Sequence, residues 1–504
     1  MLILLSYRTY ALPTPEYDVT VVGAGISGLA AAYELKKKQP DIRVVVLEAR
    51  DRVGGRTYSV NMRAANQIIE RFDLGGQWLH SSQWQIVNLL AELGVPTFPQ
   101  YAAGSRVTQF PPSNKITQID SRPGTFTQIQ QSDIQRIEAL LADVDFEGAL
   151  TNDARYDLWN RTTVSAAMNN MNLSQETVDS IDGLLASHFD SSSQDMSMLF
   201  FLMALKSTGM RLTVMLSAVP NGRRIAGGSQ TLADRLSNSI DVRLEQEAVR
   251  VAIESNIVTV TTRQGRQFTS KKVIMAIPPV IASEIIFSPP LPQEKMALLR
   301  DLRPRGDDIK FVATYQSAFW RAANMTGNVQ YRADDKRGIQ ANYEPISDVV
   351  TFDTTSAFNS PALVGYYIPS REYEPEEARK RAVLNIMARL LGNDMARNPI
   401  DYREMRWDSS VPFNKGGAGT LGTGQVPHNY AALLRAPSNG HIFWAGTETA
   451  TEWTSYMNGA VQAGQRAAAE VLQQSQTVNA DPIKALLTLP CSLFGLLCST
   501  SNAS

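Results

Sequence analysis

The chain is poor in the residues that build thiol and metal chemistry. Only two cysteines occur in 504 residues, Cys491 and Cys498, and both lie in the last fourteen positions. The body therefore has no thiol for a disulfide, a zinc site, a catalytic nucleophile or a covalent cofactor link. Four histidines, His80, His188, His428 and His441, are scattered, which argues against a histidine metal cluster. An excess of charge is missing too: 48 Lys plus Arg face 49 Asp plus Glu, so no basic field gathers nucleic acid. Long apolar runs are also absent. Residues 1–5 are too short for a secretory segment, and Arg8 interrupts them. The uncharged stretch 485–504 is broken by Pro490 and falls short of the roughly 20 mainly apolar residues of a spanning helix. Membrane contact through this tail is the minority reading, against a frayed or docked terminus. Sequons at Asn160, Asn172, Asn324 and Asn502 are close to the chance number and do not settle secretion. The compartment stays open, with a cytoplasmic or membrane-associated protein ahead of a secreted one, and a homodimer is left open. With thiols and metals set aside, an organic cofactor is the natural source of difficult chemistry.

What is present begins with a βαβ pattern. The β-branched run Tyr17–Val22 leads into Gly23-Ala-Gly25-Ile-Ser27-Gly28, then an Ala- and Leu-rich helical stretch over 29–38, then a second apolar strand over 43–47. The first glycine permits a tight turn, the second lets a pyrophosphate approach the backbone, and the third lets helix pack on strand. A helix beginning near Ser27 aims its N-terminal amides at the phosphates. Glu48 stands twenty residues after Gly28, where a carboxylate accepts ribose hydroxyls. The continuation Ala49-Arg50-Asp-Arg-Val-Gly54-Gly55-Arg56 puts two glycines and an arginine directly after that acid, which favours an extended FAD over NAD.

Further along, 83–93 reads as an amphipathic helix, and 96–220 has mainly helical periodicity with polar loops. Strand patterning returns at 249–253, 257–262 and 273–277, and again at 309–315. Residues 374–391 read as a helix, 442–445 as a short buried strand and 457–472 as a small-residue helix.

On these residues the chain resembles the flavin-containing amine oxidases, which include monoamine, polyamine and L-amino-acid oxidases. Besides the N-terminal run, Asp73-Leu-Gly75-Gly76-Gln77-Trp78 and Arg224-Ile-Ala-Gly227-Gly228 resemble the family's later glycine pairs. Ala445-Gly446-Thr447-Glu448-Thr-Ala-Thr, followed by Tyr456-Met457-Asn-Gly459, is similar to the closing motif of the monoamine oxidases in particular. The likeness spans about 17–472. It implies an α/β protein whose Rossmann-like FAD domain, of the glutathione-reductase type, is assembled from 17–88, 221–295 and 411–475. A mixed-sheet and helical substrate domain would come from 89–220 and 296–410, and 476–504 would form a tail. It also implies contacts to FAD from Val249, from Trp407, and from Thr447 or Glu448, with the helix starting near Met457 directed at the flavin.

The chemistry implied is removal of hydride from the carbon beside an amine nitrogen, with O2 reduced to H2O2. Lys310, on the alternate face from Phe311 and Ala313, matches the family's lysine that assists the oxygen reaction; a solvent-exposed lysine paired with Asp307 or Asp308 is the bland alternative. Tyr456 matches one wall of an aromatic substrate cage, and His80 resembles a histidine near the substrate channel of polyamine oxidases. Two departures carry weight. Ala418 stands where monoamine oxidases have the cysteine that tethers flavin, so FAD is expected to be non-covalent. Gly419 stands where an aromatic is expected, which predicts a wider substrate pocket. The spacing from Trp407 to the glycines at 416–417 also differs by a few residues from the family's pattern. No carboxylate-clamping arginine of the L-amino-acid oxidase kind is recognisable. A flavin-binding protein without turnover is the reading from another class.

Overall fold

Strand Tyr17–Val22 is the centre of the larger of two main sheets, and the chain keeps returning to it. The computed structural model describes residues 14–479, apart from 112–113, 121–125, 143, 145–153, 190, 210, 217–221, 305–307, 334–345, 370–374, 409 and 414. The cysteines, the uncharged tail, Asn502 and Asp307 lie outside the described residues. Among those described, no helix is long and apolar enough to cross a membrane.

The eight-stranded sheet runs Asp241–Arg243, Val44–Leu47, Tyr17–Val22, Gln267–Met275, Ile257–Thr262, Ala248–Glu254 and Ile286–Ser288, with Ile442–Trp444 added beside Gln267–Met275. Its central pairings are parallel, and the buried strands are accordingly almost unbroken runs of Val, Ile and Leu. Helix Ile26–Lys38 lies against helix Met457–Asn479, the first and last described helices of the chain. Small side chains make this close approach possible. Ala30, Ala31, Ala467 and Ala468 share one core, and a Cβ added at Gly464 would fall 2.3 Å from the Ser27 carbonyl oxygen.

The second sheet has seven strands: Asp401–Arg406, Ile309–Thr314, Ala362–Pro369, Ile346–Asp353, Met325–Arg332, Ser105–Gln109 and Thr117–Asp120. Helix Glu376–Leu391 covers one face, where Ile309, Phe311 and Ala313 join Val383, Ile386 and Met387. Because strand side chains alternate, Lys310 and Val312 face the other way. Val312 packs on Met62 and Phe72 of the two-stranded sheet Ser59–Arg63/Ile69–Asp73 and on Leu74, and Lys310 reaches Gly75 and Gln77 just beyond it. The two sheets are α/β and mixed-sheet respectively, as the resemblance implies.

Residues 96–220 are less helical than their periodicity suggests. Thr97–Pro99, Ser105–Gln109 and Thr117–Asp120 are strands, followed by six helices between Gln128 and Leu216. The physical reason is remote pairing. Ser105–Gln109 reads Ser-Arg-Val-Thr-Gln, a polar sequence with no strand signature, and it is held by Met325–Arg332 more than two hundred residues away. Thr97–Pro99, beyond the expected boundary at 88/89, pairs with Gly222–Ile225 in a small sheet that also takes Trp78–His80.

Candidate active site

One continuous cavity of about 1270 Å³ runs between the two sheets. That exceeds the roughly 300–1,000 Å³ of an ordinary ligand site and suits a large cofactor plus a second molecule. One end is bounded by the glycine turn, the other by the open face of the seven-stranded sheet.

At the glycine end, each glycine has a different constraint. Gly23 adopts φ +104°, and a Cβ there would sit 2.7 Å from the Ala276 carbonyl oxygen. Gly28 is not on the cavity wall, because a Cβ would meet the Gly23 carbonyl oxygen at 2.0 Å, the closest helix-to-strand approach of the turn. Gly25 has nothing within 4 Å of its Cβ position, and the space it leaves is the cavity. This open cradle at the start of a 13-residue helix fits a pyrophosphate. Glu48 is buried and accepts from the backbone N–H of Ala24 at 2.8 Å and of Arg50 at 3.0 Å, which fixes its carboxylate at the cavity edge. Ser27, Ala49, Arg50, Gly55, Arg56 and Val249 line the same end. The residues present therefore fit FAD.

Arg56 reaches Glu448 through two hydrogen bonds of 2.6 and 3.1 Å and the Gly417 carbonyl at 2.8 Å. Of the two residues expected to contact FAD here, Glu448 gives both carboxylate oxygens to the guanidinium and does not line the cavity. It holds Arg56 in place, while Thr447 lies on the wall and donates to the Tyr456 carbonyl at 2.8 Å. Gly446 is also on the wall; its N–H donates to Ser27 Oγ at 2.7 Å, tying the closing motif to the glycine turn.

Midway along the cavity stands Lys310, 1% exposed. Its Nζ donates to the Gly75 carbonyl at 2.6 Å and to Gln77 Oε1 at 2.7 Å, and lies 5.2 and 5.4 Å from the ring centres of Trp78 and Tyr366. Burial disfavours the ammonium and pulls its pKa down to about 7, partly opposed by the charge of Asp73. It is no solvent lysine. Gly76 and Met457 complete this section, with Met457 starting the helix Met457–Asn479 at the wall. Trp407 lines it as well, anchored by an indole N–H that donates to the Leu74 carbonyl at 2.7 Å.

Opposite runs a wall of rings. His188 lies 6.1 Å from Tyr456, Tyr456 stands edge-on to Trp453 at 5.2 Å, and Trp453 lies 6.2 Å from His80. The Tyr456 hydroxyl is buried without a hydrogen-bond partner, and burial raises its pKa. His188 is partly exposed, on the cavity wall, and desolvation holds its pKa down to about 4. Burial also lowers His80, whose Nδ1 lies 2.8 Å from Ser82 Oγ.

Gly419 requires a correction. It is buried away from the cavity, and a Cβ there would meet Leu302 at 3.3 Å. Leu302 occupies the direction a side chain would take, so the missing aromatic does not widen the lumen at that point. Gly417 and Ala418 form the wall instead.

Beyond the rings, strand register lays a row of side chains across the sheet: Lys310, Tyr366, Val350, Gln330 and Thr108 are successive partners. One register step along the strands, Arg332 pairs with Asp348 at 2.9 Å and with Asp179 at 3.4 Å, and it also feels Asp182. Arg106, on the far strand, lines the cavity with its Nε buried and unbonded. His188, Tyr366, Asp179, Asp182, Arg332 and Arg106 escaped sequence reasoning, because no local pattern marks a residue whose neighbours come from distant parts of the chain.

Similarity agrees with this geometry. The family profile described as flavin containing amine oxidoreductase matches residues 26–472. Flavin-containing amine oxidase B of Sus scrofa is 30% identical over 481 residues, covering 92% of this chain and 88% of that protein. Flavin-containing amine oxidase A of the same species is 31% identical over 477 residues, covering 90% and 85%. Among solved structures, wild-type putrescine oxidase bound to putrescine superposes with a TM-score of 0.78 at 27% identity, covering 91% of this chain and 99% of that one. Cyclohexylamine oxidase from Brevibacterium oxydans IH-35A shares the fold, with a TM-score of 0.79 at 24% identity over 92% and 100% of the two chains.

Proposed function

The chain belongs to the flavin containing amine oxidoreductase family, and from that premise we propose that it oxidises a small amine with FAD and O2, R–CH2–NH2 + O2 + H2O giving R–CHO + NH3 + H2O2. When bound, FAD supplies the acceptor for the two electrons and hands them to oxygen. The observation that carries the proposal is Lys310, a lysine buried on the cavity wall between the Gly75–Trp78 segment and the ring of Tyr366.

The chain's own residues have separable tasks in this reading. Gly23, Gly25, Ser27, Glu48, Ala49, Arg50, Gly55, Arg56 and Val249 hold the dinucleotide, Glu448 acting through Arg56. Gly75, Gly76, Gln77, Trp78, Trp407, Gly446, Thr447 and Met457 bound the ring system. Lys310, with two acceptors and a lowered pKa, exchanges a proton or orients a water during oxygen reduction. Tyr456, with His80 behind Trp453 along the same wall, walls the amine. The inner wall of His188, Tyr456, Trp453 and Tyr366 carries no carboxylate, so the neutral amine, the form that releases hydride, is favoured over its ammonium. Without a cysteine at 418 the flavin is held non-covalently.

On substrate class, the cluster Asp179, Asp182 and Asp348 around Arg332 leaves net negative charge in the outer cavity, which favours a distal cation, as in a diamine. An L-amino acid is disfavoured. Arg106 stands four strand spacings from Lys310, about 19 Å, too far to clamp a carboxylate on the reacting carbon.

The test is absorbance from 350 to 500 nm before and after acid precipitation, with peroxide measured on benzylamine, tyramine, putrescine, spermine and L-leucine. The expected result is a flavin that leaves with the supernatant, and peroxide from at least one amine. Bound FAD without peroxide from any of them would favour a non-catalytic flavin protein.

A further inference from the structure

Phe413 is a bulky residue in a conformation that bulky residues avoid. Its φ is +66°, and Lys415 close by has φ +52°. Left-handed backbone at a non-glycine residue is strained and persists only where surroundings impose it. Here the surroundings are Arg50. Its guanidinium donates to the Pro412 carbonyl at 2.5 Å and lies 5.6 Å from the centre of the Phe413 ring. Lys415 forms an ion pair with Glu284 across the same end of the cavity. Pro412, Phe413, Lys415 and Arg50 all line the cavity. Pro412, Phe413 and Lys415 stand in the stretch between Trp407 and the glycines at 416–417 whose length departs from the family's pattern.

Position decides what this contact meets. Gly25 marks the pyrophosphate cradle and Glu48 the ribose; Arg50 lies two residues further along the same strand exit. The Arg50 carbonyl accepts from the Glu245 N–H at 2.9 Å, and the Glu48 carbonyl from the Gln246 N–H at 2.7 Å. These bonds put Arg50 beside the segment leading to Val249, at the end of the cavity remote from Lys310. The group that lies beyond the ribose of a dinucleotide is its base.

We propose that Phe413, braced by Arg50, is an adenine-contacting residue of the cofactor site and helps this protein retain a non-covalently bound FAD. The inference rests on the reading of the cavity as an FAD site. A planar cation and an aromatic ring give a purine the two surfaces on which bases stack. A contact of this kind acts on the AMP half of FAD alone and leaves the ring system to the rest of the site.

The experiment uses the full chain freed of flavin. Binding of FAD and of FMN, which lacks the AMP half, is measured by flavin fluorescence for wild type, F413A and F413W. The expected result is an FAD dissociation constant about 10-fold higher in F413A, with faster FAD release, FMN affinity unchanged within about 2-fold, and recovery in F413W. Equal weakening of FAD and FMN by F413A would assign Phe413 a general structural role and overturn the proposal, as would unchanged FAD affinity. Failure of the underlying reading looks different, since wild type itself would then bind no FAD.

Discussion

At the glycine end of the cavity most of the wall is main chain and the spaces glycines leave; at the amine end it is side chains brought from a sheet, a helix and a loop. A glycine turn is specified over six consecutive residues, Gly23 to Gly28, so its geometry travels with its sequence. The amine end draws Lys310, Tyr366, Gln330, His188 and Tyr456 from places scattered between residues 188 and 456. The difference teaches that a cofactor site is written in local backbone rules, whereas a substrate site is written in long-range register. It also separates what each end tolerates: the first has no room for an added atom at Gly23 or Gly28, and the second is sensitive to a changed shape or charge.

The sharpest break in that comparison is at the glycines themselves. Gly28→Val puts atoms inside the Gly23 carbonyl, and loss of the cooperative melt with no flavin retained is expected by circular dichroism and absorbance. Gly25→Ala adds a methyl group to open space instead. Its apoprotein should melt within about 2 °C of wild type while FAD affinity falls roughly 10- to 100-fold, near 1.4–2.8 kcal/mol. Equal damage from both would mean that the turn is merely structural.

Next in size is Lys310→Met. Stopped-flow re-oxidation of the reduced enzyme should slow about 100-fold, while reduction by amine changes less than about 3-fold. The same variant tests the buried amine as a titrating group. Its folded pKa of about 7 lies below the unfolded value near 10.5, so between those values the unfolded chain binds the extra proton. Wild-type stability should therefore rise with pH through this window by up to about 1.4 kcal/mol per unit, relative to the methionine variant in denaturant titrations. Parallel curves would show that the lysine is not held neutral.

Tyr456 gives a smaller and two-part result. Its hydroxyl has no partner, so Tyr456→Phe should leave kcat/KM within about 3-fold, while Tyr456→Leu, which removes a ring from the wall, should lower it about 10- to 30-fold. A large loss in the phenylalanine variant would give the hydroxyl a direct role. The mildest effect belongs to Asp182→Asn in the outer cluster: KM for putrescine or spermine should rise about 5-fold, with benzylamine unaffected. An equal change for all three amines would remove the argument for a distal cation.

These contrasts follow what the sequence made legible. The glycine turn, Glu48 and the closing motif are contiguous, and each carries its physical reason within a few residues. Lys310 is visible because it stands on the alternate face from Phe311 and Ala313 and matches the family's lysine. The rest required the fold. The strand Ser105–Gln109 has no strand signature of its own, and Arg106 gains its meaning only from a sheet that places it four strands from Lys310. Gly419 shows the opposite failure: absence of an aromatic suggested empty space, and Leu302, more than a hundred residues away, fills it. Glu448 shows a third: a residue inside the closing motif whose carboxylate is bound by Arg56, nearly four hundred residues away.

The pairing of the first and last segments has a consequence in time. The Gly446 N–H meets Ser27 Oγ across 419 residues, and Ile442–Trp444 completes the sheet that Tyr17–Val22 begins. Closing a loop of that length is slow, and parallel pairing gives nothing back until it is done. A growing chain on the ribosome thus displays its glycine turn early but owns no finished dinucleotide cradle until the last helix has emerged. The cradle into which a flavin would fit is one of the last parts of the fold to be completed.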